Sequence, residues 1–142
     1  MKIVMAADHG GYQLKESIKK NLFQAGRNIL DVGCDSNDSV DYPDYAEKAI
    51  SSMLTGDCQR GILICGTGIG MSIVANRHRS IRAAVCFDID TAKLSREHNN
   101  SNILCLGARV LDMDYAMQMV TIWLETEFSG GRHQKRIEKF SE

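Results

Sequence analysis

Short, unbroken apolar runs alternate along this chain with stretches whose apolar residues recur every three or four positions. Ile3, Val4 and Met5 stand in a row within Lys2–Ala7, and residues 61–65 read Gly-Ile-Leu-Ile-Cys. Runs of that length predict strands buried on both faces, and 61–65, the most apolar, is the expected centre of the sheet. Further strands are predicted at 28–32, 81–87 and 103–106. Between them, Leu14, Ile18 and Leu22 recur at spacing four, and Gly26 follows as the stop. Pro43 sits where a helix opens, and the pairs Tyr45/Ala46, Ala49/Ile50 and Met53/Leu54 form its stripe before Gly56. Shorter helices are expected at 70–76 and 91–97. Tyr115, Met119, Val120 and Trp123 mark a longer one, and a last helix spans about 130–140.

Strict alternation of strand and helix implies one α/β domain over residues 1–142, a Rossmann-like, doubly wound parallel sheet of five strands. In such open sheets, ligands bind beyond the carboxyl ends of the strands. Asp8, His9, residues 65–70 and Asp88 all follow predicted strands, so they are expected at one edge.

The turn Cys65-Gly66-Thr67-Gly68-Ile69-Gly70 joins the central strand to a helix. Its glycines let backbone N–H groups converge, which favours an anion. Several anion-binding loops are excluded. There is no lysine for a P-loop, and Met71 stands where a dinucleotide fingerprint needs its third glycine and a phosphatase loop its arginine. A purely geometric turn would use the same glycines. Cys65 precedes the turn, where the helix terminus is expected to favour its thiolate as a base or nucleophile. The other cysteines, Cys34, Cys58, Cys86 and Cys105, read as small core residues.

Composition narrows the classes. The 142 residues are 44% hydrophobic and 25% charged, with a formal net charge of -1, so nothing draws the chain to nucleic acid or an anionic membrane. No apolar run spans a bilayer, and the start has too short an apolar stretch for a secretory signal. Five cysteines without a C-x-x-C pair argue for reduced thiols in the cytoplasm. The histidines and carboxylates lack metal-ligand spacing, so neither metal nor cofactor is expected. Arg132 and Arg136 lie four apart on the last helix, suited to one phosphate, and Arg109 is placed to join them. Alternatively, these arginines form a solvated tail. His98 and Asn99 end a short helix, whereas His78 and His133 read as surface residues.

The motifs together resemble the ribose-5-phosphate isomerase B family, which includes the galactose-6-phosphate isomerase subunits. The resemblance covers Ala7-Asp8-His9-Gly10-Gly11, Asp41-Tyr42-Pro43-Asp44-Tyr45-Ala46, residues 61–72, Arg82-Ala83-Ala84, Ser95-Arg96-Glu97-His98-Asn99 and Leu106-Gly107-Ala108-Arg109. It implies interconversion of ribose 5-phosphate and ribulose 5-phosphate through a cis-enediolate. On the family pattern, Cys65 removes the carbon-2 proton, Thr67 relays a proton between the sugar oxygens, and His98 opens the furanose with Asp8 in support. Amides of Gly66, Gly68, Ile69 and Gly70 stabilise the enediolate. His9, Arg109, Arg132 and Arg136 hold phosphate, Tyr42 lines the sugar, and Asn99 contacts hydroxyls or the enediolate. Some members lack the cysteine and carry a glutamate at the position of Met71; Met71 cannot act as a base, which leaves Cys65. The resemblance also implies a homodimer or tetramer with sites shared between subunits, the last helix reaching a partner. Two other readings stay open, a hexose-6-phosphate (allose or galactose) isomerase and a non-catalytic phosphosugar-binding module. The first turns on pocket depth; the second needs neither the thiol nor His98.

Overall fold

The computed structural model describes residues 1–141. Five strands, β1 (Lys2–Ala7), β2 (Asn28–Asp31), β3 (Arg60–Cys65), β4 (Ala83–Val85) and β5 (Ile103–Gly107), form one sheet. All pairings are parallel and the order is β2-β1-β3-β5-β4, with β3 at the centre. The connecting helices are α1 (Tyr12–Gln24), α2 (Tyr42–Leu54), α3 (Ile69–Ala75), α4 (Ile89–Asn99), α5 (Met113–Glu125) and α6 (Arg132–Glu138). Among the described residues no helix is long and apolar enough to cross a membrane.

Side-chain alternation on the strands builds two cores. Ile3, Met5, Ile62, Ile64, Leu104 and Leu106 meet Leu14, Ile18 and Leu22 of α1 and Met119, Val120 and Trp123 of α5. Val4, Ala6, Leu63, Cys65 and Cys105 pack on the opposite face with Ala46, Ala49 and Ile50 of α2 and Met71 and Ala75 of α3. The continuous apolar runs thus arise because both faces of the inner strands are covered. Gly26 and Gly56 follow α1 and α2 with φ of 78° and 82°, the left-handed geometry of a helix stop. Leu54, expected in the α2 stripe, is instead exposed.

The bounds of the fourth strand and of the helix after it differ from the sequence reading at both ends. The fourth strand is confined to Ala83–Val85 rather than 81–87, because β4 is an edge strand with side-chain partners along it. The Asn76 amide pairs with both the N–H and the C=O of Ala83, and Arg82 N–H donates to Asn102 Oδ1. The helix predicted at 91–97 runs from Ile89 to Asn99, since Asp88 caps it by accepting from the Thr91 N–H at 2.7 Å.

A charged cluster ties the loop after β2 to α1. Lys15 is fully buried, with Nζ 2.7 Å from Asp31 Oδ2 and 2.9 Å from Glu16. Lys19 reaches the same Asp31 oxygen at 2.6 Å, and Asp31 Oδ1 accepts from Gly33 N–H. Burial by itself raises the Asp31 carboxyl, but bonds from Lys15, Lys19 and Gly33 outweigh it and hold the carboxyl below its ordinary range. Gly33 C=O in turn accepts from Ala7 N–H, fixing the chain just before Asp8. Asp31→Ala leaves the buried Lys15 ammonium with Glu16 alone, so it should lower unfolding free energy by about 2 kcal/mol in urea titrations at pH 7. Because the folded carboxyl titrates low, this stabilisation is complete above the ordinary carboxylate range near pH ~4 and fades on further acidification. The variant's stability should therefore fall less steeply with acid than the wild type's; parallel acid curves would contradict this role.

Candidate active site

The strand order reverses between β1 and β3. β1 leads outward to β2, whereas β3 leads to the other half of the sheet, so a crevice opens beyond their carboxyl ends. Asp8 and Cys65 stand on its two sides. Asp8 N–H donates to Ile64 C=O, and Asp8 Oδ1 accepts from Gly11 N–H at 3.1 Å as α1 begins. A Cβ on Gly10 would lie 3.3 Å from Asp8 Oδ1 and 3.7 Å from Gly66 N, which places the Asp8 carboxylate beside the Gly-rich turn. His9 Nδ1 is within hydrogen-bond distance of both the N–H and the C=O of Val40, at 3.1 and 3.2 Å, so either tautomer fits.

The turn is shaped by close backbone approach. Gly68 has φ of 82°, and its would-be Cβ meets the Leu106 backbone at 3.0 Å. A Cβ on Gly107 would strike the Thr67 backbone at 2.7 Å, so the turn lies directly on the end of β5. Arg109 N–H donates to Gly66 C=O, and its guanidinium lies beside Gly66. The ring of Tyr42, at the start of α2, covers Gly70, where a side chain would come 2.6 Å from Cζ. Thr67 is exposed, with Oγ1 accepting from Ile69 N–H at 3.3 Å. Beneath them Cys65, 5% exposed, has its Sγ 3.1 Å from the donating N–H of Gly68. Burial pushes the Cys34, Cys86 and Cys105 thiols up, in keeping with core roles. Asp88 shares this edge of the sheet but is engaged as a helix cap.

His98, Asn99, Arg132 and Arg136 are not in this crevice. α4 starts at the carboxyl end of β4 and returns over its 11 residues, about 16 Å of helix, to the amino ends of the strands. There Arg82 Nε donates to Asn100 C=O, and Gly61 N–H at the foot of β3 donates to Asn102 C=O. The ascent of β3 from Arg60 to Cys65 covers about 16 Å as well. Within one chain, Cys65 and His98 therefore lie at opposite ends of the sheet. Arg109, expected to join Arg132 and Arg136, stands at the Cys65 end instead. A cavity of about 510 Å³ lined by Asn76, His78, Arg82, Asn99 and Phe140 lies beside β4, away from the Cys65 turn.

Two residues at the amino end of the sheet were given no role by the sequence reading. Arg96 is 3% exposed; its guanidinium donates to Thr126 C=O, Asn100 Oδ1 and Ser101 C=O, locking the end of α4. Burial, then the charge of Arg60, lower its pKa to about 10, so it stays charged at neutral pH. His133, read from sequence as a surface residue, stacks on His98 with ring centroids 4.3 Å apart and planes at 13°. Its imidazole is held below the ordinary range, first by desolvation and then by the charges of His98, Arg132 and Arg136. α6 rests on α4, with Ser129 N–H donating to Glu97 C=O; Ile137 is buried, while Arg132, Arg136 and Phe140 are exposed. Among the described residues, no group of three or more histidine, cysteine or carboxylate side chains is placed to hold a metal ion.

A buried thiol under an amide-lined turn, with a carboxylate and a guanidinium beside it at a topological switch point, is the arrangement of an α/β enzyme for small anionic substrates. The ribose/galactose isomerase family model matches residues 3–140, and the chain belongs to that family. Ribose-5-phosphate isomerase B of Escherichia coli is 43% identical over 137 residues, 96% of this chain and 92% of that protein. The ribose-5-phosphate isomerase B structure from Clostridium thermocellum superposes with a TM-score of 0.96 at 50% identity, covering 98% of this chain and 94% of that one. The Mycoplasma genitalium enzyme, solved with bound ribulose 5-phosphate, gives a TM-score of 0.92 at 38% identity, covering 97% and 92%.

Gly68→Ala should test the wedge between turn and β5. The added methyl meets the Leu106 backbone at an unfavourable positive φ. A loss of about 1–3 kcal/mol in unfolding free energy is expected; wild-type stability in denaturant would show that the turn is free to relax.

Proposed function

We propose that this chain interconverts ribose 5-phosphate and ribulose 5-phosphate, in a site completed by two copies of the chain. The observation that carries the reading is the Cys65 thiol, buried at the end of the central strand with its sulfur against the Gly68 N–H. Family membership and the ribulose 5-phosphate bound to a relative agree with it.

In the open-chain aldose, Cys65 as thiolate takes the proton from carbon 2, and the electrons of that bond form the cis-enediolate. The same proton returns to carbon 1 to give the ketose. The sulfur's bond from Gly68 N–H strengthens when the sulfur carries charge. Once the sulfur has taken the proton, the Gly68 N–H turns to the enediolate oxygens, to which the amides of Gly66, Ile69 and Gly70 also donate; one such preorganised donor is worth about 3–4 kcal/mol. Thr67, exposed on the turn, moves a proton between oxygens 1 and 2. Tyr42 walls the sugar beside Gly70. His9 and Arg109 supply the phosphate contacts of this half of the site.

The cyclic sugar must first open. His98 takes the proton of the carbon-1 hydroxyl, the bond from carbon 1 to the ring oxygen breaks, and His98 returns the proton to that oxygen, with Asp8 in support. Asn99 contacts the sugar hydroxyls, and Arg132 and Arg136 complete the phosphate grip. Since these four residues lie at the far end of their own sheet, a second copy must bring them to Cys65. α6 keeps its arginines exposed on the outside of α4, where they are free to face a partner.

Four measurements test this. Ribose 5-phosphate should be isomerised in preference to allose 6-phosphate and galactose 6-phosphate. Cys65→Ala should fold normally yet keep less than a tenth of wild-type turnover, a barrier increase above ~1.4 kcal/mol; greater residual activity removes Cys65 as the base. Arg136→Ala should raise KM for ribose 5-phosphate at least tenfold, whereas a solvated tail predicts no change. Co-refolding the Cys65→Ala and Arg136→Ala proteins should then restore part of the activity, because some mixed sites carry neither lesion. No recovery despite demonstrated subunit exchange would rule out sharing of Arg136.

A further inference from the structure

The plane of a working imidazole is normally set by a hydrogen bond from its second nitrogen to a carboxylate or a backbone carbonyl. His98 has no such partner: among the described residues, the one histidine–carboxylate pair is His78 with Glu47. What His98 does have is the ring of His133, parallel to its own within 13° at a centroid distance of 4.3 Å. That placement is built by the chain rather than by the rings alone. Ser129 N–H is bound to Glu97 C=O, one residue before His98, and Gly130 and Gly131 follow with φ of 66° and 59°. This pair of positive-φ glycines reverses the backbone so that the first turn of α6 falls across the last turn of α4. His133 N–H donates to Gly130 C=O, closing the turn.

We propose that His133 is a positioning residue for His98, which it orients by face-to-face stacking, and that it couples that orientation to the phosphate grip. The coupling follows from shared structure, since His133 lies between Arg132 and Arg136 on α6. Phosphate held by the two arginines fixes α6, and α6 carries the ring that sets the plane of His98. The role rests on the isomerase reading above, in which His98 opens the sugar ring. It requires that stacking, not charge or a hydrogen bond from His133, be the operative contact.

The test compares His133→Ala with His133→Phe, which keeps a flat ring but no nitrogen. Kinetics on ribose 5-phosphate should show kcat at least tenfold lower in His133→Ala with KM within about threefold, and kcat within about threefold of wild type in His133→Phe. In parallel, the ring protons of His98, assigned by NMR with His98→Asn, should carry a ring-current shift in wild type and His133→Phe that vanishes in His133→Ala. Spectra unchanged outside α4 and α6 establish that each variant is folded. Wild-type kcat in His133→Ala, or a rise in KM alone, overturns the positioning role, the latter making His133 a phosphate contact. Equal loss in both variants assigns the effect to the nitrogen and also overturns it. A wild-type protein inactive on sugar phosphates defeats the isomerase reading instead, and the NMR comparison still decides whether the stack exists.

Discussion

In an all-parallel sheet every strand finishes at the same edge, and every crossover helix must carry the chain back to the other edge. This constraint governs where chemistry can be placed. Residues that follow strands, such as Asp8, Cys65 and Arg109, collect at the carboxyl edge. Residues that finish crossover helices, such as His98 and Asn99, are delivered to the amino edge. The reversal of strand order between β1 and β3 opens the first group to solvent at a crevice. The proposed reaction uses both groups, which is why it is assigned to two copies of the chain.

Each half is held by its own interior polar network. Near the carboxyl edge, Lys15 and Asp31 tie α1 to the segment that hydrogen-bonds Ala7, the residue before Asp8. Near the amino edge, Arg96 gathers carbonyls from the end of α4 and from Thr126 beyond α5, while Trp123 Nε1–H donates to Ser101 Oγ. A buried cation left without such partners would be strongly destabilising, so these networks fix the local backbone as well as satisfy charge.

At the carboxyl edge the controlling dimension is the thickness of a glycine. The turn after β3 lies on Gly107 and the Leu106 backbone on one side and under Tyr42 on the other. Side chains at Gly68, Gly70 or Gly107 would fill the space that the backbone and the Tyr42 ring now occupy. The same compression keeps the Cys65 thiol almost wholly out of water while leaving Thr67 exposed above it. Thiol, amides and guanidinium are thereby held in one rigid unit.

The sequence by itself determined the α/β class, the central place of β3, the apolar faces of α1, α2 and α5, and the helix stops at Gly26 and Gly56. All of these depend on periodicity and local backbone preference, which a short window of residues carries in full. It also marked the Gly-rich turn and the thiol beneath it, because Cys65, Gly66, Gly68 and Gly70 fall within six consecutive residues after an apolar run. Only the tertiary structure decided that within one chain Cys65 and His98 stand at opposite ends of the sheet, that Arg109 lies beside Gly66 and away from Arg132, and that β4 is a three-residue edge strand. The burial of Arg96 among carbonyls and the stacking of His133 on His98, through a fold-back at Gly130 and Gly131, were likewise set by the tertiary structure. The physical reason is common to all of them. Spacing along a chain reports which face of its own element a residue occupies, whereas strand order, crossover direction and helix fold-back determine which elements meet.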